Sequence, residues 1–182
     1  MKKTISKVIV ISYSLTGNNK DLAASLAATL GAEHVRITEP KPRTMGTTVL
    51  DMVFRRTPRI MMPVEENEEH DLVLFVGPVW MGQIATPFRA CFKQLGPKIG
   101  KYAFISISGG ADGPNTKIAD ELEKRLGREP ACLIDLHIAD LLPPEPKPTR
   151  KDTSAYRITE RDVKHLTDTI VANLHKTQAF RG

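Results

Sequence analysis

Ser14-Leu15-Thr16-Gly17-Asn18-Asn19 is the stretch that decides the fold, because it joins an apolar run to a run of helix-forming residues. The apolar run, Val8 to Ile11, consists of β-branched residues and predicts a buried strand. The run that follows, Lys20 to Leu30, predicts a helix. The six quoted residues, called the first loop below, therefore lie at a strand-to-helix junction.

The first loop has the composition of an anion-binding turn. The first N–H groups of a helix have no intrahelical partners and carry the positive end of the helix dipole, so they favour a phosphate. The hydroxyls of Ser14 and Thr16 can donate to phosphate oxygens, and Gly17 has no Cβ to hold the backbone away from a ligand. The same residues also fit an ordinary helix start with Thr16 or Asn18 as the N-cap.

The length of 182 residues fits one domain over residues 1–182. There are 26 Lys and Arg residues against 21 Asp and Glu residues, which leaves a formal net charge of +5. This charge is compatible with anionic small molecules or acidic protein partners. The basic residues are dispersed and aromatic residues make up only 5% of the chain, so the composition does not indicate nucleic-acid binding.

The cysteines and the hydropathy pattern indicate a soluble cytoplasmic protein. Cys91 and Cys132 have apolar neighbours, where a free cysteine behaves as a small core residue, and they support neither a disulfide framework nor a zinc site. The apolar run after Met1-Lys2-Lys3 stops at Ile11, which fits a buried strand better than a secretory signal. No stretch approaches the roughly 18 apolar residues that a membrane-spanning helix needs.

Strand and helix patterns alternate along the chain, which predicts right-handed crossovers and an open, doubly wound α/β sheet. Continuous apolar runs suit strands buried on both faces, as in a parallel sheet. The predicted strands are Val8 to Ile11, His34 to Ile37, Leu72 to Val76, Ala103 to Ile107 and Ala131 to Leu136. The predicted helices are Lys20 to Leu30 before Gly31, Pro87 to Leu95, Ile118 to Leu126 before Gly127, and a last helix from Thr159.

Two connections depart from this regular alternation. Glu39 to Pro63 is long and locally basic, and it contains a predicted helix from Thr48 to Arg56. That helix fits a solvated crossover, or a surface for an anionic ligand, a partner or a second subunit. Leu142 to Lys151 contains four prolines and predicts an extended connection into the last helix rather than a domain boundary.

Two further loops are expected close to the first. In open α/β sheets ligands bind beyond the carboxyl ends of the strands, and for the strand order 2-1-3-4-5 the switch point lies between strands 1 and 3. The second loop, Gly77-Pro78-Val79-Trp80-Met81-Gly82-Gln83, follows the third strand, and the third loop, Ser108-Gly109-Gly110-Ala111-Asp112-Gly113, follows the fourth. An apolar crevice between glycine-containing loops beside a phosphate turn suits a planar ring attached to a phosphate, and FMN fits all three loops.

With these loops the chain resembles the flavodoxin-like FMN proteins over nearly all of its length. The first loop is similar to the family's (Thr/Ser)-x-Thr-Gly-x-Thr turn, with Asn19 in place of the last Thr. The resemblance implies a three-layer sandwich with a five-stranded parallel sheet of order 2-1-3-4-5 and helices on both faces. It implies FMN contacts from Ser14, Leu15, Thr16, Gly17, Asn18 and Asn19, from Pro78, Val79, Trp80, Met81 and Gly82, and from Ser108, Gly109, Gly110, Asp112 and Gly113.

The departures from carrier flavodoxins indicate an enzyme. The Asn19 amide loses one hydroxyl contact but can also donate to the phosphate. The third loop has no aromatic residue to cover the flavin, and the chain is basic where the carriers are acidic. An open flavin face and a positive field suit a nicotinamide cofactor or a quinone. Trp80 either stacks on the flavin or packs within its loop or against a second subunit.

The sequence therefore predicts an FMN-dependent oxidoreductase that passes reducing equivalents from NAD(P)H to a quinone or similar acceptor. A non-catalytic electron carrier that docks on a redox protein, and a flavodoxin-fold module without FMN, are the alternatives. No catalytic residue is assigned, because the flavin itself accepts the electrons. The histidines show no ligand-like pairing, and no metal site is expected. The helix in the long connection is a candidate homodimer surface.

Overall fold

The computed structural model describes residues 7–63 and 70–180, and within them the chain forms a five-stranded parallel sheet covered by helices. The strands are β1 (Val8–Ser12), β2 (Glu33–Arg36), β3 (Leu72–Val76), β4 (Val79–Trp80), β5 (Gln83–Ile84), β6 (Tyr102–Ser108) and β7 (Cys132–His137). The helices are α1 (Asn18–Leu30), α2 (Met45–Val53), α3 (Pro87–Leu95), α4 (Ile118–Leu126), α5 (Arg150–Ala155) and α6 (Glu160–Lys176). Short 3-10 turns lie at Gly96–Lys98, Ile138–Leu141 and Gln178–Phe180.

The sheet order is β2-β1-β3-β6-β7, which is the predicted order 2-1-3-4-5 once the small β4-β5 hairpin is set aside. All neighbouring strands in this sheet are parallel. Alternate residues of each strand point to opposite faces, so two cores form. Ile9 and Ile11 of β1 pack with α3 and α4, whereas Val10 packs with α1 and α6. The predicted α/β three-layer sandwich is confirmed.

The predicted element boundaries agree best where a cap or a proline marks the end. Leu72–Val76 and Pro87–Leu95 begin and end as predicted. Gly31 and Gly127 lie in the left-handed region after α1 and α4, and Thr159 caps α6 in a capping box with Asp162. The other four predicted strands differ from β1, β2, β6 and β7 by one residue at one or both ends.

Two helix starts were predicted wrongly. Helix α1 begins at Asn18 rather than Lys20, with Gly17 as its N-cap and no side-chain cap, so neither Thr16 nor Asn18 is the N-cap. The helix predicted from Thr48 to Arg56 is Met45–Val53, because Thr44 and Thr47 form a capping box that starts it earlier.

The proline-rich connection also differs from its prediction. Residues 142–149 are irregular, as expected, but Arg150–Ala155 forms helix α5. Its start is stabilised by Thr149, whose hydroxyl accepts from the Asp152 N–H while the Asp152 carboxylate accepts from the Thr149 N–H. The last residues before the final helix are thereby held as a short turn of helix over the carboxyl end of the sheet.

None of the helices in residues 7–63 and 70–180 is long and apolar enough to cross a membrane. Cys91 and Cys132 are buried free thiols, and burial raises the pKa of both.

Gly77, the first residue of the second loop, lies directly against Phe88 of α3. A Cβ on Gly77 would lie 2.2 Å from Cε2 of Phe88, whose ring is fully buried. We expect Gly77→Ala to lower the free energy of unfolding by about 1–3 kcal/mol, because the buried ring has to shift. Urea unfolding measures this change.

Gly100→Ala is the matched control, since a Cβ there meets nothing within 4 Å. Its effect should stay within roughly 0.5 kcal/mol. Equal losses in both variants would contradict the proposed steric role of Gly77.

Candidate functional site

The three loops border one cleft beyond the carboxyl ends of the strands. Its volume is about 750 Å³, within the usual range for a small-molecule site. The predicted site residues that line it are Leu15, Val79, Trp80, Met81, Gly82, Ser108, Gly109, Gly110, Asp112 and Gly113. At the topological switch point between β1 and β3, the fold therefore brings together loops that are far apart in the sequence.

A smaller cavity of about 180 Å³ adjoins this cleft at the start of α1. Leu15, Val79, Trp80, Ser108 and Gly109 line both spaces, so the two are continuous along one wall. The predicted residues that line only the smaller cavity are Thr16, Asn18, Asn19 and Pro78. The end of the site at the helix start is thus narrower than the rest.

Ser14 and Gly17 line neither space, although both were predicted to contact an anion. The Ser14 Oγ accepts a hydrogen bond from the Gly17 N–H at 3.0 Å, so this hydroxyl shapes the turn. Gly17 has a φ of 104°, which an L side chain rarely adopts. The glycine is therefore required for the path of the backbone into α1.

The side chains of Asn18 and Asn19 are both buried and bonded to the protein backbone. The Asn19 amide donates to the Ile107 carbonyl at 2.9 Å and accepts from the Ile107 N–H at 3.1 Å. The Asn18 amide likewise donates to the Tyr156 carbonyl and accepts from the Ile158 N–H. One of the two N–H groups of the Asn19 amide is therefore used by the protein, and donation from this amide to a phosphate stays a prediction.

The backbone N–H groups at the start of α1 remain suited to an anion. The first intrahelical bond runs from the Asp21 N–H to the Gly17 carbonyl. The N–H groups of Asn18, Asn19 and Lys20 precede it and have no intrahelical acceptor. Of these three residues Asn18 and Asn19 line the smaller cavity, together with Thr16, whose hydroxyl is a further donor.

Trp80 is held by packing on one side and lines both cavities on the other. Its ring meets Tyr13 edge-on at 5.9 Å between centroids, and the Arg43 guanidinium lies 5.7 Å from its centroid. Arg43 in turn bonds the carboxylates of Glu39 and Asp51. Trp80 thus packs against residues from outside its own loop and also lines the site.

This cluster perturbs the pKa values of its members. Burial of Tyr13, together with its hydrogen bond to Glu39, raises the pKa of the phenol well above its ordinary value. Burial alone would lower the pKa of Arg43, but the hydrogen bonds to Glu39 and Asp51 outweigh it and raise that pKa. Tyr13 therefore stays neutral and Arg43 stays charged across the physiological range.

Strand β7 anchors the chain on either side of the third loop, at Ser106 and at Asn115. The Asp135 carboxylate accepts from the Ser106 hydroxyl at 2.6 Å, from the Asn115 N–H at 3.1 Å and from the His137 ring at 3.0 Å. Burial would raise the pKa of Asp135, but these hydrogen bonds outweigh it and lower the pKa. A Cβ on Gly110 would lie 2.3 Å from the Cβ of His137, so only glycine fits there.

Some lining residues were missed from the sequence. Helix α2 contributes Thr48, Val49 and Met52, and α5 contributes Arg150, Thr153 and Ser154. The helix predicted from Thr48 to Arg56 contains these α2 residues, but the sequence did not assign it to the cleft. Helix α5 was not predicted, and its capping box was the one available signal.

The β7 anchor can be tested with Asp135→Asn. The amide removes the charge and leaves one acceptor oxygen, so we expect about 1–2 kcal/mol lower stability and faster amide hydrogen exchange in the third loop and at Asn115. Chemical unfolding and hydrogen exchange measure the two effects. Asp140→Asn is the control, because Asp140 is exposed and its carboxylate lies 3.9 Å from the His137 ring.

The pH dependence has a definite sign. Because the folded-state pKa of Asp135 is lowered, its contribution to stability is complete at neutral pH and is lost as the pH falls through that lowered value. Asp135→Asn should therefore be less sensitive to acid below about pH 4, the range of an ordinary aspartate. An unchanged acid dependence with unchanged loop exchange would contradict the anchoring role.

No protein-family model matches the chain, and no curated protein matches it. Its fold is similar to that of a flavoprotein from Lactobacillus acidophilus NCFM, solved in complex with FMN. The TM-score is 0.62 and the identity 21% over 71% of this chain and 92% of the other. A protein of Bacteroides eggerthii DSM 20697, provisionally assigned as a flavoprotein, has a TM-score of 0.62 at 18% identity over 91% of this chain and 98% of that one. The chain thus has the flavodoxin-like fold.

Proposed function

We propose that this protein binds FMN in the cleft and passes reducing equivalents from NAD(P)H to a quinone or similar acceptor. The observation that carries the proposal is the convergence of all three predicted loops on one continuous site. That site has a narrow end at the start of α1 and a wide, largely apolar end between the second and third loops. An FMN molecule has the same division, with a phosphate at one end and a planar ring at the other.

The residues present fit FMN. At the narrow end, the Thr16 hydroxyl and the N–H groups of Asn18, Asn19 and Lys20 are the groups that would hold the phosphate. At the wide end, the glycine-rich third loop and the backbone of the second loop would hold the isoalloxazine ring. The FMN complex of the structurally similar Lactobacillus acidophilus protein supports this choice of ligand.

The role of the chain is to bind and orient, because bound FMN supplies the redox chemistry by taking up and releasing electrons. Trp80 lines the cleft with its ring supported by Tyr13 and Arg43. Asp135 bonds Ser106 before the third loop and Asn115 after it. The two walls are thus fixed by contacts on the sides that face away from the ligand.

Two features favour an enzyme over an electron carrier. The third loop has no aromatic side chain, so one face of a ring bound there would be open to a second molecule. Val49 and Met52 of α2 add an apolar wall to the same cleft, which suits a quinone ring. The carrier remains the second candidate, and the net charge of +5 would suit docking on an acidic redox protein.

The phosphate end is tested with Gly17→Val. A β-branched residue is strained at the φ of 104°, so the turn should rearrange and weaken FMN binding by about tenfold or more. Titration of the apoprotein, followed by quenching of flavin fluorescence, measures the dissociation constant. Riboflavin, which lacks the phosphate, should bind both proteins equally.

Gly31→Val is the matched control. Gly31 also has a positive φ but lies at the opposite end of α1, so the variant carries comparable backbone strain away from the site. Full FMN occupancy of Gly17→Val at low free FMN would overturn the phosphate assignment. Absence of a yellow flavin spectrum in the wild-type protein supplied with FMN would overturn FMN binding itself.

Stopped-flow mixing with NADPH or NADH separates the enzyme from the carrier. For the enzyme, we expect the flavin absorbance to bleach on mixing and to return when a quinone is added. Photoreduction of the same sample is the control, because it shows that the bound flavin can be reduced. A photoreducible flavin that neither nicotinamide cofactor bleaches would favour the carrier.

A further inference from the structure

The exposed large apolar side chains of the described residues concentrate on one face. Of the eight, only Leu133 of β7 lies apart from the cleft and the connection that contains α2. Leu15, Val49 and Met81 line the cleft. Leu50 and Val53 of α2, and Phe54 directly after it, are exposed outside the cleft. Residues 49 and 53, and residues 50 and 54, are one helical turn apart, so their side chains adjoin. We call Val49, Leu50, Val53, Phe54 and Met81 the apolar rim.

The apolar rim projects from the surface. Val53 is 67% exposed, Phe54 is 62% exposed and Met81, at the tip of the β4-β5 hairpin, is 82% exposed. A contiguous apolar patch on a folded protein marks an interaction site. The backbone beneath the apolar rim is held by buried Arg89, which donates to the carbonyls of Asp51 and Arg56 and to the side chain of Gln83.

The border of the apolar rim is basic. Lys41, Arg55, Arg56 and Arg59 are exposed, and none of them forms an ion pair with an acidic residue in the described part of the chain. The two acids of the same segment, Glu39 and Asp51, already pair with the largely buried Arg43. The guanidinium of Arg56 lies 5.4 Å from the centroid of the Phe54 ring, so a cation and an aromatic ring are presented together.

We infer that the apolar rim and its basic border dock on an anionic lipid bilayer. The basic side chains complement lipid phosphates, and the apolar side chains enter the acyl boundary. Projecting side chains from two separate segments need a matching hollow on a protein partner, whereas a bilayer deforms around them. Two copies joined through this face would bring their basic borders together. Docking would place the mouth of the cleft against the membrane, where apolar compounds dissolve.

Vesicle flotation tests the inference, and it does not require FMN to bind. The wild-type protein should float with vesicles of phosphatidylcholine and phosphatidylglycerol, and much less with phosphatidylcholine alone or at high salt. The double variant Val53→Ser, Phe54→Ser should bind the anionic vesicles about tenfold more weakly. Leu133→Ser is the apolar control and should float like the wild type.

A second pair of variants separates local charge from net charge. Arg55→Gln, Arg56→Gln, Arg59→Gln in one protein should abolish most flotation. Lys93→Gln, Lys124→Gln, Lys176→Gln changes the net charge equally at exposed sites on α3, α4 and α6 and should leave flotation unchanged. Unaltered thermal unfolding confirms that each variant is folded.

Three results would overturn the inference. The first is that the wild-type protein does not float with anionic vesicles, or floats equally well with neutral ones. The second is a dimer in sedimentation equilibrium that Val53→Ser, Phe54→Ser dissociates, because a second copy would then cover the rim. The third is salt-sensitive binding to polyglutamate without binding to vesicles, which would indicate an acidic protein instead.

Discussion

The buried pair formed by the Asn19 amide and the backbone of Ile107 is the contact on which the site depends. The pair joins the first turn of α1 to the end of β6, which lies beyond the intervening strand β3. The Asn19 amide donates to the Ile107 carbonyl and accepts from the Ile107 N–H. Each such bond contributes roughly 0.5–1.5 kcal/mol, and breaking one would leave a buried polar group unpaired. The first and third loops are therefore set relative to each other by one side chain. The Asn19 residue at the last position of the first loop thus has a structural role, because it links α1 to β6.

The walls of the cleft are held in a similar way, by clusters of polar side chains that bond to one another behind the lining residues. Arg43 gathers Glu39, Asp51 and the ring of Trp80, while Asp135 gathers Ser106, Asn115 and His137. Buried charges are costly unless they are paired and hydrogen-bonded, and both clusters meet that condition. The cleft is lined by glycines and apolar side chains, by hydroxyls and the Asn115 side chain, and by one acid and one base, Asp112 and Arg150, which pair with each other. Such a surface accepts a planar ring and offers few acids or bases, which agrees with a cofactor that carries the chemistry.

Much of the fold could be predicted from sequence, because its signals are local. Continuous apolar runs identified four of the five strands of the sheet, and His34 to Ile37 was a shorter fifth candidate. Pro87, Gly31, Gly127 and Thr159 marked helix ends. The predicted starts of α1 and α2 were wrong, because several neighbouring residues could each have served as the N-cap. Thr44 could not be distinguished from later threonines, and Gly17 caps α1 without any side-chain bond. Helix Arg150–Ala155 was not predicted, because the prolines before it indicated an extended connection.

The sequence by itself determined where the strands and the three loops lie along the chain, because apolar periodicity and glycine position are properties of neighbouring residues, while the order of the strands in the sheet came from the resemblance. Only the tertiary structure decided what the side chains in those loops do. The amides of Asn18 and Asn19 face the protein, and Ser14 bonds its own turn. Helices α2 and α5 complete the cleft from outside the motifs. The reason is physical: a polar side chain bonds whichever partner lies within about 3 Å, and that partner is chosen by packing between distant segments.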